Sequence, residues 1–260
     1  MTIYEAFKHE CSQLIQQQAT DLELRTVAKE FFNRSFAYKY PYNFEHLGRP
    51  IIQYPQDIVA MQELIWSVKP DLIIETGIAH GGSLILSASM LALLDMCEAI
   101  ESGLTIDPRC SKRKVLGIDI DIRMHNKKAI EGHSMASRIE MIQGSSIDPM
   151  VIENVRNISS QYEKIMVLLD SNHTHDHVLA ELQAYALLTS LGSYCVVFDT
   201  IVEDMSSECF QNRPWGPGNS PKTAVFEYLS SHPQFQIDKT IDHKLLISVA
   251  PDGYLKRVSV

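Results

Sequence analysis

Asp71-Leu-Ile-Ile-Glu75-Thr-Gly-Ile-Ala-His-Gly-Gly-Ser83 reads as a short strand, a glycine-rich turn and the start of a helix that runs to about Cys97. A run of Leu and Ile without polar alternation suits a strand covered on both faces, the environment of a parallel sheet. The same succession repeats outward from this stretch. Strands are expected at Val115–Asp119, Ile139–Gln143, Ile165–Asp170 and Tyr194–Asp199. Helical stretches at Arg123–His133, Met150–Tyr162 and His175–Leu188 alternate with them, each long enough for a right-handed crossover. Ser220-Pro221 reads as the N-cap and first position of a helix reaching Ser231. Phe235–Asp238 and Leu245–Val249 then read as two antiparallel strands, because the polar link between them is too short for a crossover helix. The pattern predicts an α/β fold with a seven-stranded, mostly parallel sheet and an antiparallel C-terminal strand.

Upstream, residues 1–70 read as a helical N-terminal extension to a main domain at 71–260. Helical patterns cover Thr2–Asn33 and Pro55–Val68, joined by the aromatic and proline-rich stretch Phe36–Tyr54. With 260 residues and 45% hydrophobic content the chain can build one large core. Its 32 acidic against 23 basic residues give a formal charge of −9, which opposes attraction to nucleic acid or an anionic membrane. A small-molecule or carbohydrate partner is expected instead. Cys11, Cys97, Cys110, Cys195 and Cys209 are scattered and form no Cys-x-x-Cys pair, so a reducing cytoplasm is expected. The longest apolar run, Leu84–Leu94, falls short of the roughly 20 residues that span a bilayer.

In open α/β sheets ligands bind beyond the carboxyl ends of the strands, and the notable polar clusters fall there. Gly77, Gly81 and Gly82 let the backbone turn tightly and let a ligand approach it closely. Their spacing is not Gly-x-Gly-x-x-Gly, the pattern that seats a pyrophosphate on a helix N-terminus. S-adenosylmethionine (SAM) has no phosphate, and a looser loop running through Ser83 with Glu75 beside it suits that cofactor. Glu75 is expected to face the methionine ammonium. Asp119, at the tip of the second strand, is expected to accept hydrogen bonds from both ribose hydroxyls, with Asp121 as the near alternative. Gly144-Ser145-Ser146 would border the adenine. The expected architecture is therefore Rossmann-like, of the SAM-dependent methyltransferase type.

The fourth strand ends in Asp170-Ser-Asn-His173-Thr-His175-Asp176-His177 and the fifth in Asp199-Thr200, with Glu203-Asp204 beyond. Neighbouring strand ends bring Asp170 and Asp199 together, and two carboxylates beside a cofactor repel unless one is protonated or a cation lies between them. Magnesium matches an oxygen-rich site and leaves positions open for substrate oxygens. His173 would then take the acceptor proton. Asp176 and His177 suit helix capping. The competing arrangement is a zinc hydrolase, because His173-x-His175-Asp176-His177 is one residue short of a His-x-His-x-Asp-His run.

Ile74–Ser83, Gly117-Ile-Asp-Ile-Asp121, Leu169-Asp-Ser-Asn-His173 and Val197-Phe-Asp-Thr200 resemble the cephalosporin hydroxylase/rhamnosyl O-methyltransferase family. Gly48–Asp57 and Trp215–Lys222 extend the resemblance over roughly Phe36–Arg257. It implies SAM, magnesium, and homo-oligomers in which N-terminal segments help build neighbouring sites. The acceptors it implies are sugar hydroxyls, as in surface polysaccharide, lipopolysaccharide or glycolipid synthesis, or antibiotic-type natural products. Carried over, Asp170 matches the first metal aspartate and His173 the base. Asp199 matches a second ligand, but the family pattern has an acidic pair where this chain has Phe198-Asp199. Thr200, Glu203 or water would complete the coordination.

Overall fold

The computed structural model describes residues 2–260. Helices α1 (Ile3–Thr20) and α2 (Leu22–Phe36) come first. The Thr2–Asn33 pattern is thus two helices rather than one. Asp21 breaks it, leaving helical geometry and accepting a hydrogen bond from the Leu24 amide at 2.9 Å as the N-cap of α2. A short hairpin follows, β1 (Phe44–His46) and β2 (Arg49–Ile51), turning through the positive-φ pair Leu47-Gly48. Helix α3 (Pro55–Val68) occupies the predicted span.

The main sheet begins with β3 (Leu72–Thr76), followed by α4 (Gly82–Ser102), β4 (Lys114–Asp119) and α5 (Met124–Glu131). Next come β5 (Ile139–Gln143), α6 (Pro149–Ser159), β6 (Ile165–Leu169), α7 (His175–Tyr185) and β7 (Tyr194–Val197). The chain closes with α8 (Pro221–Ser231), β8 (Phe235–Ile237), α9 (Lys239–Leu245) and β9 (Tyr254–Arg257). Strand order is β5-β4-β3-β6-β7-β9-β8, and only the pairings that involve β9 are antiparallel. Every residue of β3 and β6 is buried, because helices cover both faces. Connections run outward from β3 through β4 to β5, then return to β6 on its other side. The strand order therefore reverses between β3 and β6, and the two loops leaving them open a crevice there.

One strand expectation fails. Leu245–Val249 is not a strand; α9 absorbs Leu245, Leu246 reverses the chain at φ 61°, and residues 246–253 form an arch. The seventh strand is instead Tyr254–Arg257. Val249 and Ala250 of the arch are still buried, but a side chain replaces the strand ladder as partner for the backbone there. Asp57, fully buried on α3, accepts hydrogen bonds from Ser248 Oγ (2.6 Å), the Val249 amide (3.0 Å) and Tyr254 Oη (3.0 Å). The arch then grips the end of β7: Ile201 N donates to Val249 O, Thr200 Oγ1 to Pro251 O and Val197 N to Gly253 O.

Helix α4 is the one helix among the described residues long and apolar enough to cross a bilayer, and half of that window is buried in this fold. Helix α1 buries no side chain, and Ile3, Tyr4, Phe7 and Leu14 are exposed. Replacing Asp57 by alanine would strand three buried donors. Urea denaturation should show Asp57→Ala less stable by roughly 2–4 kcal/mol, whereas a loss below about 0.5 kcal/mol would mean that the arch is held by other contacts.

Candidate active site

The crevice is walled by the turn after β3. Gly77 has φ 90°, and a Cβ there would lie 2.1 Å from the carbonyl oxygen of Asp170. Only glycine allows the β3 and β6 ends to come this close. Gly81 (φ 83°) is the N-cap of α4, and a Cβ on Gly82 would lie 2.2 Å from Pro50 O, so β2 presses against the helix N-terminus. Asp119 holds the turn from the next strand: its Oδ2 accepts from the Ile78 (2.8 Å) and Ala79 (3.3 Å) amides and its Oδ1 from the Asp121 amide (3.0 Å). Arg49 Nε donates to His80 O (3.0 Å), Arg49 Nη2 to Asn126 Oδ1 (3.0 Å), and Asn126 Nδ2 to Ala79 O (2.8 Å). The glycine turn is thereby rigid without any ligand.

Asp170, His173 and Asp199 converge beside this turn, with one ligand atom from each lying within 4.8 Å of the others. Asp170 follows β6 directly, its amide donating to Thr76 O at 2.9 Å. Asp199 follows Phe198 at the end of β7 in the left-handed region, φ 55°. His173 Nδ1 lies 3.4 Å from Asp199 Oδ2, near enough for attraction but outside hydrogen-bond geometry, so the buried nitrogen has no partner. The ring packs edge to face with Trp215, centroids 4.7 Å apart. Arg213 lies over that indole at 5.2 Å.

Behind them sits Glu75, buried and hydrogen-bonded by Ser83 through Oε1, with Oε2 unpartnered. Burial pushes its carboxyl up to about 7, although the Ser83 hydrogen bond pulls the other way. Burial, then the charges of Asp199 and Glu75, holds Asp170 well above the usual carboxylate range.

A cavity of about 260 Å³ is lined by Gly77, Gly82, Ser83, Asp170, His173 and Asp199 from the expected set, and by Tyr42, Gln53 and residues of the hairpin. A larger cavity of about 550 Å³ under α2 contains none of the three converging side chains. Gly81, Glu75 and Asp119 support the smaller cavity from behind rather than lining it. Ser146 is buried, its hydroxyl 3.1 Å from His177 Nε2. Thr200 does not reach the acid cluster: it is fully buried and donates to Pro251 O at 2.6 Å. Glu203 is also committed elsewhere, accepting from the Gly218 amide (2.9 Å) and Ser220 Oγ (2.7 Å).

The three histidines diverge, because His175 and His177 lie two residues apart on the first turn of α7 and point to different neighbours. His175 contacts Thr223 (2.8 Å) and Glu227 (3.1 Å) on α8, whereas His177 contacts Ser146, Ser171 and Glu181. A zinc site joining His173, His175 and His177 is therefore not formed.

The remaining donor set fits SAM and a hard divalent cation. Two carboxylates and an unpartnered imidazole nitrogen face each other with no lysine or arginine lining the cavity. Glu75 Oε2 is an orphaned acceptor beside a turn where Cβ atoms are excluded.

The model of the rhamnosyl O-methyltransferase/CmcI family matches residues 38–258. The chain belongs to that family. It is 28% identical to the rhamnosyl O-methyltransferase of Mycobacterium tuberculosis H37Rv over 205 residues, 77% of this chain and 73% of that one. Identity with the Mycobacterium leprae rhamnosyl O-methyltransferase is 26% over 215 residues, covering 81% and 82%. Among solved structures, the apo form of CmcI-N160 superposes with TM-score 0.53 at 18% identity, and CmcI-D160 with Mg and SAM with TM-score 0.52 at 19%. Each superposition covers 84% of this chain and 78% of CmcI. These likenesses establish the methyltransferase fold.

Within this family member, Arg49, Asn126, Gln53, Asp57 and Trp215 shape the site without having been singled out as site residues in the sequence. Arg49, Gln53 and Asp57 lie in the quoted Gly48–Asp57 stretch and Trp215 opens the other. Asn126 carried no signal, since nothing marks a polar residue on α5 as facing inward.

Glu75 has a testable pH signature. Its carboxyl lies near 7 folded against an ordinary 4.5, so the folded state gains protons relative to the unfolded chain. The resulting stabilisation is full below about pH 4.5 and vanishes as pH rises through 7. Denaturation midpoints measured from pH 5 to 8 should fall, and Glu75→Gln should remove roughly 2–3 kcal/mol of that pH-dependent loss of stability. A variant as pH-dependent as the parent would contradict a buried, proton-binding Glu75.

Proposed function

We propose that this chain transfers the methyl group of SAM to a hydroxyl of a carbohydrate acceptor, assisted by magnesium, in surface polysaccharide or glycolipid synthesis. The observation carrying this reading is the convergence of Asp170, His173 and Asp199 beside a ligand-ready glycine turn. Membership of a family named for rhamnosyl O-methylation supports the sugar acceptor. The CmcI structure with Mg and SAM supports the cofactor pair. When bound, SAM supplies an electrophilic methyl and magnesium lowers the pKa of a coordinated hydroxyl.

The chain's own residues divide the remaining work. Asp170 and Asp199 hold the cation, which relieves the repulsion between two adjacent carboxylates. His173 accepts the acceptor proton, and Trp215 against its ring fixes the imidazole plane. Glu75 receives the ammonium of the cofactor. Asp119, with three amides already on its carboxylate, has capacity at Oδ1 for a single ribose hydroxyl rather than for both. Gly77, Gly81 and Gly82 admit the cofactor to the backbone, and Ser146 backs the adenine end. Further parts of the reading are the division into a 1–70 extension and a 71–260 catalytic domain, and a homo-oligomer assembled through α1 and α2. Exposed Ile3, Phe7, Leu14, Val27 and Phe31 support that assembly. Five free cysteines agree with a cytoplasmic enzyme.

Incubation with labelled SAM and a panel of rhamnose-containing glycans should give a methylated product. EDTA should abolish it and magnesium restore it. No label transfer to any glycan would remove the sugar acceptor from the reading. His173→Ala should lower kcat by about a hundredfold or more, the usual contribution of a positioned base, while calorimetry finds SAM affinity unchanged. Weakened SAM binding in that variant would instead give His173 a structural role.

A further inference from the structure

We infer that Gln53 receives the amino-acid end of the cofactor, an inference that rests on the methyl-transfer reading and extends its binding site to the N-terminal segment. Gln53 follows β2 and precedes α3, on backbone fixed from both sides. Ile51 is buried, and Pro50 O presses on Gly82 at the start of α4. On the other side buried Tyr54 stacks on Phe32 with centroids 4.9 Å apart and lies 2.9 Å from Ser35 Oγ. The Gln53 side chain is therefore held at a defined place against the N-terminus of α4, lining the same cavity as Gly82, Ser83 and Asp170.

Gln53 is only 4% exposed, and its Oε1 is buried without a hydrogen-bond partner. A carboxamide left so is destabilising, and glutamine is seldom this buried unless paired. Glu75 Oε2 is also orphaned, and its other oxygen is held by Ser83, which lines the cavity beside Gln53. The Gln53 oxygen is an acceptor, and so is Glu75 Oε2 when its carboxyl is ionised. What these two oxygens lack is donors, while Asp170, His173 and Asp199 are already assigned to a cation and an acceptor hydroxyl. A methionyl group presents three ammonium N–H donors together with a carboxylate. A carboxamide answers both, its oxygen accepting from the ammonium and its amino group donating to the carboxylate. The adenine edge also pairs a donor with an acceptor, but the methyl-transfer reading seats adenine against Ser146, which does not line this cavity.

The test compares two ligands by isothermal titration on the full chain: S-adenosylhomocysteine, and methylthioadenosine, which keeps the nucleoside and thioether but has no amino acid. Gln53→Leu should weaken S-adenosylhomocysteine about tenfold and leave methylthioadenosine unchanged. Gln53→Met carries the same measurement should the leucine variant fail to fold. Equal weakening of both ligands would make Gln53 a wall that only shapes the cavity, and unchanged affinity for both would turn it toward the acceptor. Either result overturns the inference. If the unaltered chain binds neither ligand, the methyl-transfer reading itself fails, an outcome distinct from the other two.

Discussion

Strands β3 and β6 end so close together that a single methyl on Gly77 would sit 2.1 Å from the Asp170 carbonyl. Everything at the site follows from that approach. Because the strand order reverses between these neighbours, their loops diverge and leave a crevice at their carboxyl ends. The same contact places Asp170 at the foot of the glycine turn instead of a side chain's width away. Asp119 from β4 and the Arg49–Asn126 pair then hold the turn in one shape. The site is preorganised because its backbone amides and carbonyls are satisfied within the protein, not by the ligand.

That economy is deliberately incomplete at the acidic positions. Glu75, Asp170 and Asp199 lie near one another, and no lysine or arginine lines the cavity beside them. In a medium of low polarisability, such an arrangement drives carboxylates toward their protonated forms, as the upward displacement of Glu75 and Asp170 shows. Elsewhere buried or half-buried acids have partners: Arg113 and Arg138 both reach Asp95, Lys222 lies between Asp204 and Asp252, and Asp57 accepts three neutral hydrogen bonds. The acids of the crevice lack such partners, an arrangement that favours a cationic occupant.

The sequence made the five parallel strands and the helices between them legible, since β6 and β7 are unbroken apolar runs, β3 opens with one, and Asp148 caps α6. Ser220-Pro221 marked the start of α8 to the residue. Asp170, His173 and Asp199 were also readable, because parallel strands of similar length bring their ends to one edge. Leu245–Val249 misled because apolar content reports burial rather than hydrogen-bond pattern, and Asp57, almost two hundred residues away, does there what a neighbouring strand would do. Thr200 and Glu203 were indistinguishable from ligands by spacing alone. Which way a side chain leaves a short 3₁₀ turn depends on the arch it meets, and that arch belongs to a distant part of the chain.

The Asp57 clamp also sets an order of assembly. Its carboxylate belongs to α3 and its three donors to residues 248–254, so the clamp joins elements far apart in synthesis. Strand β9, which must insert between β7 and β8, comes last of all. During translation the parallel sheet can form while Asp57 is still hydrated and the end of β7 still lacks the arch that grips it. The stretch that carries Asp199 is thus held on both sides by residues of the arch far downstream of it, so the sheet and the acid site draw on different parts of the chain.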